Sequence, residues 1–358
     1  MNKDHLPVEL NEAGPCLLSE DEYDDDDEPG FHLRRFRERW DNSWSGADGW
    51  GDFDDTTLIP PMRYTRDGLS CGARRPDTTQ IFSVKIAGIG EGLQWPLDVF
   101  GHVDMRDCID RNRNIIFCRS RVDCQTLTDK DPNLLLTGPT RPVVLLDPVF
   151  IEVDLKVKGA LEDKTLFCRV LPLTSPEPIY SRLLGFAEVS KFSTLEFTLG
   201  HIIFSLEATI SVRVVNGSWP DGFHGQFSAC TTRSDHDSVG ETGPVIDGAD
   251  SVNHMEILLL GFGSQKGPLI DDRGKIALSR RVVCVQDNSK LEVSVKACRD
   301  DSNIVVDRAG FTTKESGKSY GKLEVASCKM EVSVAWSMVS SIPELRRETI
   351  LKNSLINV

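Results

Sequence analysis

No stretch of this chain holds the roughly 20 consecutive apolar residues that a bilayer-spanning helix needs. Basic residues are scarce as well: 41 Lys and Arg stand against 55 Asp and Glu, for a formal charge of −14. An acidic chain without a basic stripe does not suit a nucleic-acid backbone as its main partner. CxxC pairs are missing, so the spacing gives no zinc-ribbon signature. Gly-x-Ser-x-Gly is missing too, which removes the nucleophile elbow of the α/β-hydrolases. Gly88, Gly90 and Gly92 lack the GxGxxG spacing, and Pro96 follows in a segment that reads as strand, so a dinucleotide site is not expected. The seven histidines stand neither at helical metal spacing nor beside a Ser or Cys in a nucleophile setting. No catalytic residue, metal or cofactor is therefore expected. The first residues lack the basic, apolar, small-residue order of a secretory signal. The expectation is a cytoplasmic or nuclear protein, with no signal peptide, no transmembrane segment and no membrane partner. In that setting the ten cysteines read as core or surface thiols.

What the chain does have is alternation. In residues 193–230, Phe204, Leu206, Ala208, Ile210, Val212 and Val214 share one parity, while Ser205, Glu207, Thr209, Ser211 and Arg213 share the other. A strand points successive side chains to opposite faces, so one face should be buried and the other wet. That is the mark of an antiparallel sheet. Leu195, Phe197 and Leu199 alternate in the opposite phase, which predicts a turn or bulge at Gly200-His201. Asn216-Gly217 and Asp221-Gly222 bracket a tight reversal before a return strand.

Eight of the nine residues 20–28 are acidic, and such a run repels itself and buries little. Residues 1–30 are expected as a disordered acidic tail. Leu33, Phe36, Trp40 and Trp44 then follow at helical spacing between arginines, which predicts an amphipathic helix packed on its own domain. The helix and a Gly/Pro-rich connector, or strap, fill residues 31–78. From residue 79 the pattern turns to strand. Val149, Ile151, Val153, Leu155 and Val157 face in, with residues 164–171 as the pairing strand. Residues 179–191 fit either strand or a short helix. Residues 233–253 read as a long polar loop, and a bulge near 326–328 would explain a parity shift late in the chain. About a dozen short strands with little helix predict an all-β protein, an antiparallel β-sandwich or distorted barrel with short flanking helices. One cooperative core over 79–338 is expected, followed by a tail at 339–358 that could be helical.

Candidate binding residues lie in turns. Trp95 stands between Gln94 and Pro96, and Trp219 precedes Pro220-Asp221. A tryptophan on a turn either contacts a partner or covers one end of the sandwich. Asp221 and His224 would form the polar rim of such a site. In the turn 107–113, Arg111 and Arg113 beside Asp107 and Asp110 could hold an anion or pair internally. His201 and Glu207 could face each other across the predicted turn.

Several of these segments carry a resemblance: Gln80 to Lys85, Gly92 to Gly101 (with Leu93-Gln94-Trp95-Pro96), Asp110 to Phe117 (Asp-Arg-Asn-Arg-Asn-Ile-Ile-Phe), Leu136 to Arg141, the 193–230 stretch and Cys328 to Val332. With the entry segment Ile59-Pro60-Pro61-Met62-Arg63-Tyr64, they resemble the plant, mainly grass, domain-of-unknown-function family 6598 over about residues 55–340. The resemblance implies a plant protein with a mostly β domain and no settled activity. It also implies a context of stress or defence, since some grass proteins carry a similar domain behind a ribosome-inactivating N-glycosidase domain. The region ahead of the β domain is too short for that enzyme and has no Glu-Ala-Ala-Arg stretch. The expected function is a non-catalytic interaction module for a protein partner. The alternative is a hydrolase or N-glycosidase relative.

Overall fold

The computed structural model describes residues 30–45, 51–66, 72–146, 148–174, 178–233, 251–263, 267–299 and 304–340. The acidic run, the polar loop at 234–250 and the C-terminal tail from residue 341 lie outside these residues, while 339–340 of the expected tail are strand. In chain order the strands are β1 (Ala73–Arg74), β2 (Thr78–Ile89), β3 (Leu97–Arg106), β4 (Asn114–Arg119), β5 (Gln125–Leu127), β6 (Val143–Val144), β7 (Val149–Val157), β8 (Lys164–Leu173), β9 (Arg182–Val189) and β10 (Ser193–Ile202). They continue as β11 (Ser205–Asn216), β12 (His224–Arg233), β13 (Ile257–Phe262), β14 (Val282–Gln286), β15 (Ser289–Cys298), β16 (Ile304–Thr312), β17 (Ser316–Val325), β18 (Cys328–Ser337) and β19 (Val339–Ser340). Among the described residues there is one α-helix, α1 (Phe31–Trp44), and one short 3-10 turn at Arg121–Asp123. The protein is thus mostly β, as the alternation predicts.

Every strand pair is antiparallel, and the strands fall into two sandwiches. In the first, a sheet of order β6-β2-β10-β9 faces β4-β3-β7-β8, with β5 added beside β3. In the second, β14-β11-β18-β17 faces β13-β12-β15-β16. Each has its own apolar core. The first is filled by residues such as Val84, Val103, Phe117, Val153, Phe167 and Phe197. The second surrounds Trp336 with Ile210, Phe227, Val293 and Val332. The two largest apolar clusters divide within the stretch 193–230, which does not fold on itself. Its first strand, β10, belongs to one sandwich and its second, β11, to the other. The chain passes through Gly200-His201 as strand and turns at Phe204, which takes a left-handed backbone (φ 45°) and is exposed. The link from β11 to β12 likewise crosses between sheets and is not a hairpin.

The start of β11 also departs from a half-wet strand. Ser205, Glu207 and Thr209 are buried on the face that the alternation leaves to water. The seam between the sandwiches and the segment 51–66 cover them. Thr78 Oγ donates to Ser205 Oγ at 2.8 Å, the Met62 N–H to Glu207 Oε1 at 2.6 Å, and the Tyr64 N–H to Ser337 Oγ at 2.9 Å. The connector is therefore a strap that touches both sandwiches. Residues 182–189 are strand, not helix, and the late parity shift is a two-residue turn at Ala326-Ser327 (φ 53° at Ala326), not a bulge.

Helix α1 keeps the residues its spacing predicts. Phe36 and Trp40 are buried against Phe53 of the strap and Phe150 and Val170 of the first sandwich. Gly30 opens the helix with a left-handed backbone (φ 84°), and the Ser45 N–H closes it on Asp41 O. A sheet face that would otherwise be wet is thus covered by a helix.

Candidate functional site

On β3, side chains of even number point away from the first core, and on β7 they do the same. This places His102, Asp104 and Arg106 beside Glu152 and Asp154 on the face that α1 and the strap cover. Arg106 and Glu152 are 1% and 0% exposed. Arg106 Nε donates to Glu152 Oε2 at 2.9 Å with Nη2 2.8 Å from the same oxygen, while Nη1 and Nη2 donate to Arg111 O and Phe53 O at 3.0 and 2.7 Å. Arg113 donates to Glu152 Oε1 at 2.5 Å and to Asp54 Oδ1 at 2.9 Å, and lies 3.5 Å from Asp104 Oδ2. The Phe53 ring sits among three guanidiniums, with Arg106 at 4.1 Å, Arg37 at 4.6 Å and Arg113 at 5.1 Å from its centre. Burial works against the Glu152 charge, but Arg106 and Arg113 outweigh it and hold the carboxyl below its usual range. His102 Nδ1 lies 2.7 Å from Asp104 Oδ2. Burial opposes the imidazolium there, yet Asp104 and Glu152 keep its pKa above the ordinary value.

A second polar layer lies toward the seam. Arg141 forks onto Asp107 at 2.6 and 2.9 Å and onto Asp110 at 2.9 Å, and its Nε donates to Thr57 at 3.0 Å. Next to it Glu207 accepts the Met62 N–H and, at 2.7 Å, the Thr209 hydroxyl. Burial pushes its carboxyl up to about 7 despite those donors. Glu207, Arg141 and Tyr64 line a cavity of about 20 Å³, where the Tyr64 hydroxyl is buried without a hydrogen-bond partner. A larger cavity of about 30 Å³ lies under α1, between Trp40, Trp44, Arg106, Arg111 and Phe150. Each has room for water only.

The two arginines expected as site residues enter these layers and pair internally. Arg113 is the hub just described, and the Arg111 guanidinium lies 4.7 Å from the centre of the Trp44 ring. The tryptophans part company. Trp219 fits the end-covering reading of the two: it is 9% exposed, packs edge-on to Phe262 at 5.0 Å, and gives its indole N–H to Phe223 O. It closes one end of the second core. Trp95 is half-buried against the first core, so the two do not share a core. Asp221 and His224 are exposed, and His224 faces Cys298 across β12 and β15. His201 does not meet Glu207 and binds Asp77 at 2.7 Å instead. Sequence reasoning missed His102, Asp104, Arg106 and Glu152, and placed Glu207 with the wrong partner. The available signal was the charged outer parity of two apolar strands together with an aromatic helix that needed a face to cover.

The sheet edges differ in how far they are covered, and among the described residues β8 hydrogen-bonds by backbone to β7 alone. β4 is bordered by the Thr137 and Gly138 N–H groups on Ile116 O, β13 by the Arg280 N–H on Leu259 O, and β17 touches β16 through Asp307 on the Glu324 N–H. Residues 183–189 of β9 hydrogen-bond by backbone to β10 and, among the described residues, to no other strand or loop. The run Leu183-Leu184-Gly185-Phe186-Ala187 carries no charge. Phe186 stacks on Phe197 at 5.0 Å, while Gly185, Ala187 and Val189 are exposed.

Two packed antiparallel sandwiches joined by a strap define the class of protein. The chain belongs to the family described as Domain of unknown function (DUF6598), which it matches over residues 78–334. No curated protein matches the sequence. Among solved structures, the chain is similar to the paired C2 domains, A and B, of Extended-Synaptotagmin 2, at 8% identity and a TM-score of 0.25, covering 80% of this chain and 98% of that one. The calcium-bound form of those domains aligns at 10% identity and a TM-score of 0.22, over 75% of this chain and 100% of that one. A human GIVD cytosolic phospholipase A2, in complex with a methyl gamma-linolenyl fluorophosphonate inhibitor and terbium chloride, aligns at 9% identity and a TM-score of 0.21, over 74% of this chain and 32% of that one. At these scores nothing about activity transfers. Among the described residues, no helix is long and apolar enough to cross a membrane.

Proposed function

We propose that this chain is a non-catalytic interaction module that takes an extended segment of a protein partner along β9. The observation that supports this reading is the open, uncharged edge over residues 183–187, beside exposed Ile179 and Val189. An unpaired strand edge offers a row of N–H and C=O groups to an added strand, and alternate side chains set the specificity. The inward-facing Glu188, half-buried with its pKa raised by burial, limits the register that such a strand can take. The cytoplasm or nucleus is the proposed location, in keeping with eight free cysteines among the described residues. Burial pushes the thiols of Cys168 and Cys284 up to about 11, which keeps them unreactive.

The test is an array of short extended peptides probed with the full chain and with Ala187→Lys, a charge placed on an exposed edge position. Apolar peptides bound by the wild-type chain and lost in the folded variant would support the reading. Peptide binding that ignores the lysine, or no binding at all, would remove β9 from consideration.

A further inference from the structure

We propose that the covered face of the first sandwich binds a divalent transition cation of the zinc class through His102, Asp104 and Glu152. One ligand atom from each of the three lies within 4.8 Å of the other two. One imidazole nitrogen with two carboxylate oxygens suits zinc and its neighbours better than magnesium or calcium, which prefer an all-oxygen set. Asp104 is 1% exposed, and its Oδ1 is buried with no hydrogen-bond partner. A buried carboxylate oxygen without a donor is costly, and a bound cation satisfies it.

The surroundings support the ligands. The His102 side chain is 25% exposed while its Nδ1 is buried. Register sets Cys118 on one side of His102 and Asp154 on the other, both on the same face. Both Glu152 oxygens already accept from Arg106 and Arg113. Oε2 is filled by Arg106 and Arg113, while Oε1 accepts from Arg113 alone and keeps a further lone pair, and such outer contacts hold a metal ligand in position.

Charge sets the strength. Asp54, Asp104 and Glu152 are matched by Arg37, Arg106 and Arg113 before any ion arrives. A cation must therefore push Arg113 away from Asp104, and micromolar affinity is expected, well short of a structural zinc site.

The experiment is calorimetric titration of the full chain with zinc chloride and, separately, magnesium chloride. It is repeated with His102→Ala and Asp104→Asn, and circular dichroism confirms the fold of each. Cobalt(II) gives an independent optical readout of a nitrogen ligand. The expected result is one zinc per chain, no comparable magnesium binding, and about a ten-fold or greater loss of affinity in the His102→Ala chain. His102→Ala lies at a partly exposed position, so it tests the site even where Asp104→Asn does not fold. Zinc bound equally well by His102→Ala would place the ion elsewhere, for instance on the acidic run, and overturn the proposal. So would the absence of zinc binding.

Discussion

Asp104 on β3 and Glu152 on β7 stand directly opposite each other, two carboxylates on one covered face of neighbouring strands. Like charges so placed are destabilising. Arg113 touches both, and Arg106 chelates Glu152. These guanidiniums also fix Phe53 and the carbonyl of Arg111, so the charge balance of the sheet and the seating of the strap are one structural unit.

Two buried arginines should therefore respond in opposite ways to the same substitution. Arg106→Met leaves Glu152 buried with only Arg113, and breaking a buried pair costs about 3–5 kcal/mol. Arg280 is equally buried but bonds a carbonyl, Ile81 O, and no carboxylate pairs with it among the described residues. Burial brings its pKa down to about 10. Ile81 O keeps a second donor in Gln80 Nε2. Arg280→Met should be neutral within about 1 kcal/mol, or stabilising. Urea denaturation of both variants checks the contrast, and equal losses would refute it.

Glu207 predicts a pH dependence whose sign is unusual for a carboxylate. An unfolded Glu titrates near about 4.3, whereas burial sets this one to about 7 in the folded chain. Between these values the folded state holds a proton that the unfolded state has released. Its contribution to stability is whole below the unfolded value and is lost as pH rises through about 7. Glu207→Gln keeps an acceptor for the Met62 N–H and removes the titration. Its melting temperature should be flatter between mildly acidic and neutral pH than that of the wild-type chain. Parallel curves for the two proteins would contradict the assignment.

Legibility in the sequence followed the physics of each feature. Helix α1 was readable to its ends because four aromatic and aliphatic side chains mark one face at a fixed spacing. Strands β7 and β8 were readable, as a pair, from strict alternation. The division into two sandwiches was hidden, since Ile202 to Ser205 looks like an ordinary phase change and only pairing partners show that β10 and β11 go separate ways. The charge cluster was hidden for a related reason. His102, Asp104 and Glu152 fall on the parity normally left to water, and what covers that face comes from residues 31–57. Trp219 stayed open between two readings because a turn tryptophan can point outward or plug an end, and Phe227 and Phe262 decide the matter.

Trp40 anchors the helix over that cluster, so its removal should act locally. Its ring meets Phe53 edge-on at 5.6 Å and its N–H reaches Arg111 O at 3.2 Å. Trp40→Ala removes a buried indole, a change worth about 3–5 kcal/mol in a packed core. Hydrogen exchange should show α1 losing protection while β2 and β10 keep theirs. Loss of protection throughout both sandwiches would mean that the helix holds up more than the face it covers.

Cutting the chain at Phe204 tests whether the two cores depend on each other. A fragment of residues 205–340 retains every fully buried member of the second core, including Trp336 at 0% exposure, and loses only Phe82 from the half-buried side chains packed against it. It loses the Met62, Tyr64 and Thr78 bonds to Glu207, Ser337 and Ser205, and the Gln80 acceptor for the Cys284 N–H at 2.9 Å. Each bond contributes about 1 kcal/mol, and buried groups left without partners cost more. The fragment should fold with blue-shifted tryptophan emission and a cooperative transition, at a lower melting temperature than the whole chain. Red-shifted emission with no transition would show that the polar seam, and not the apolar core alone, is what makes the second sandwich stable, and that the whole β region folds as one unit.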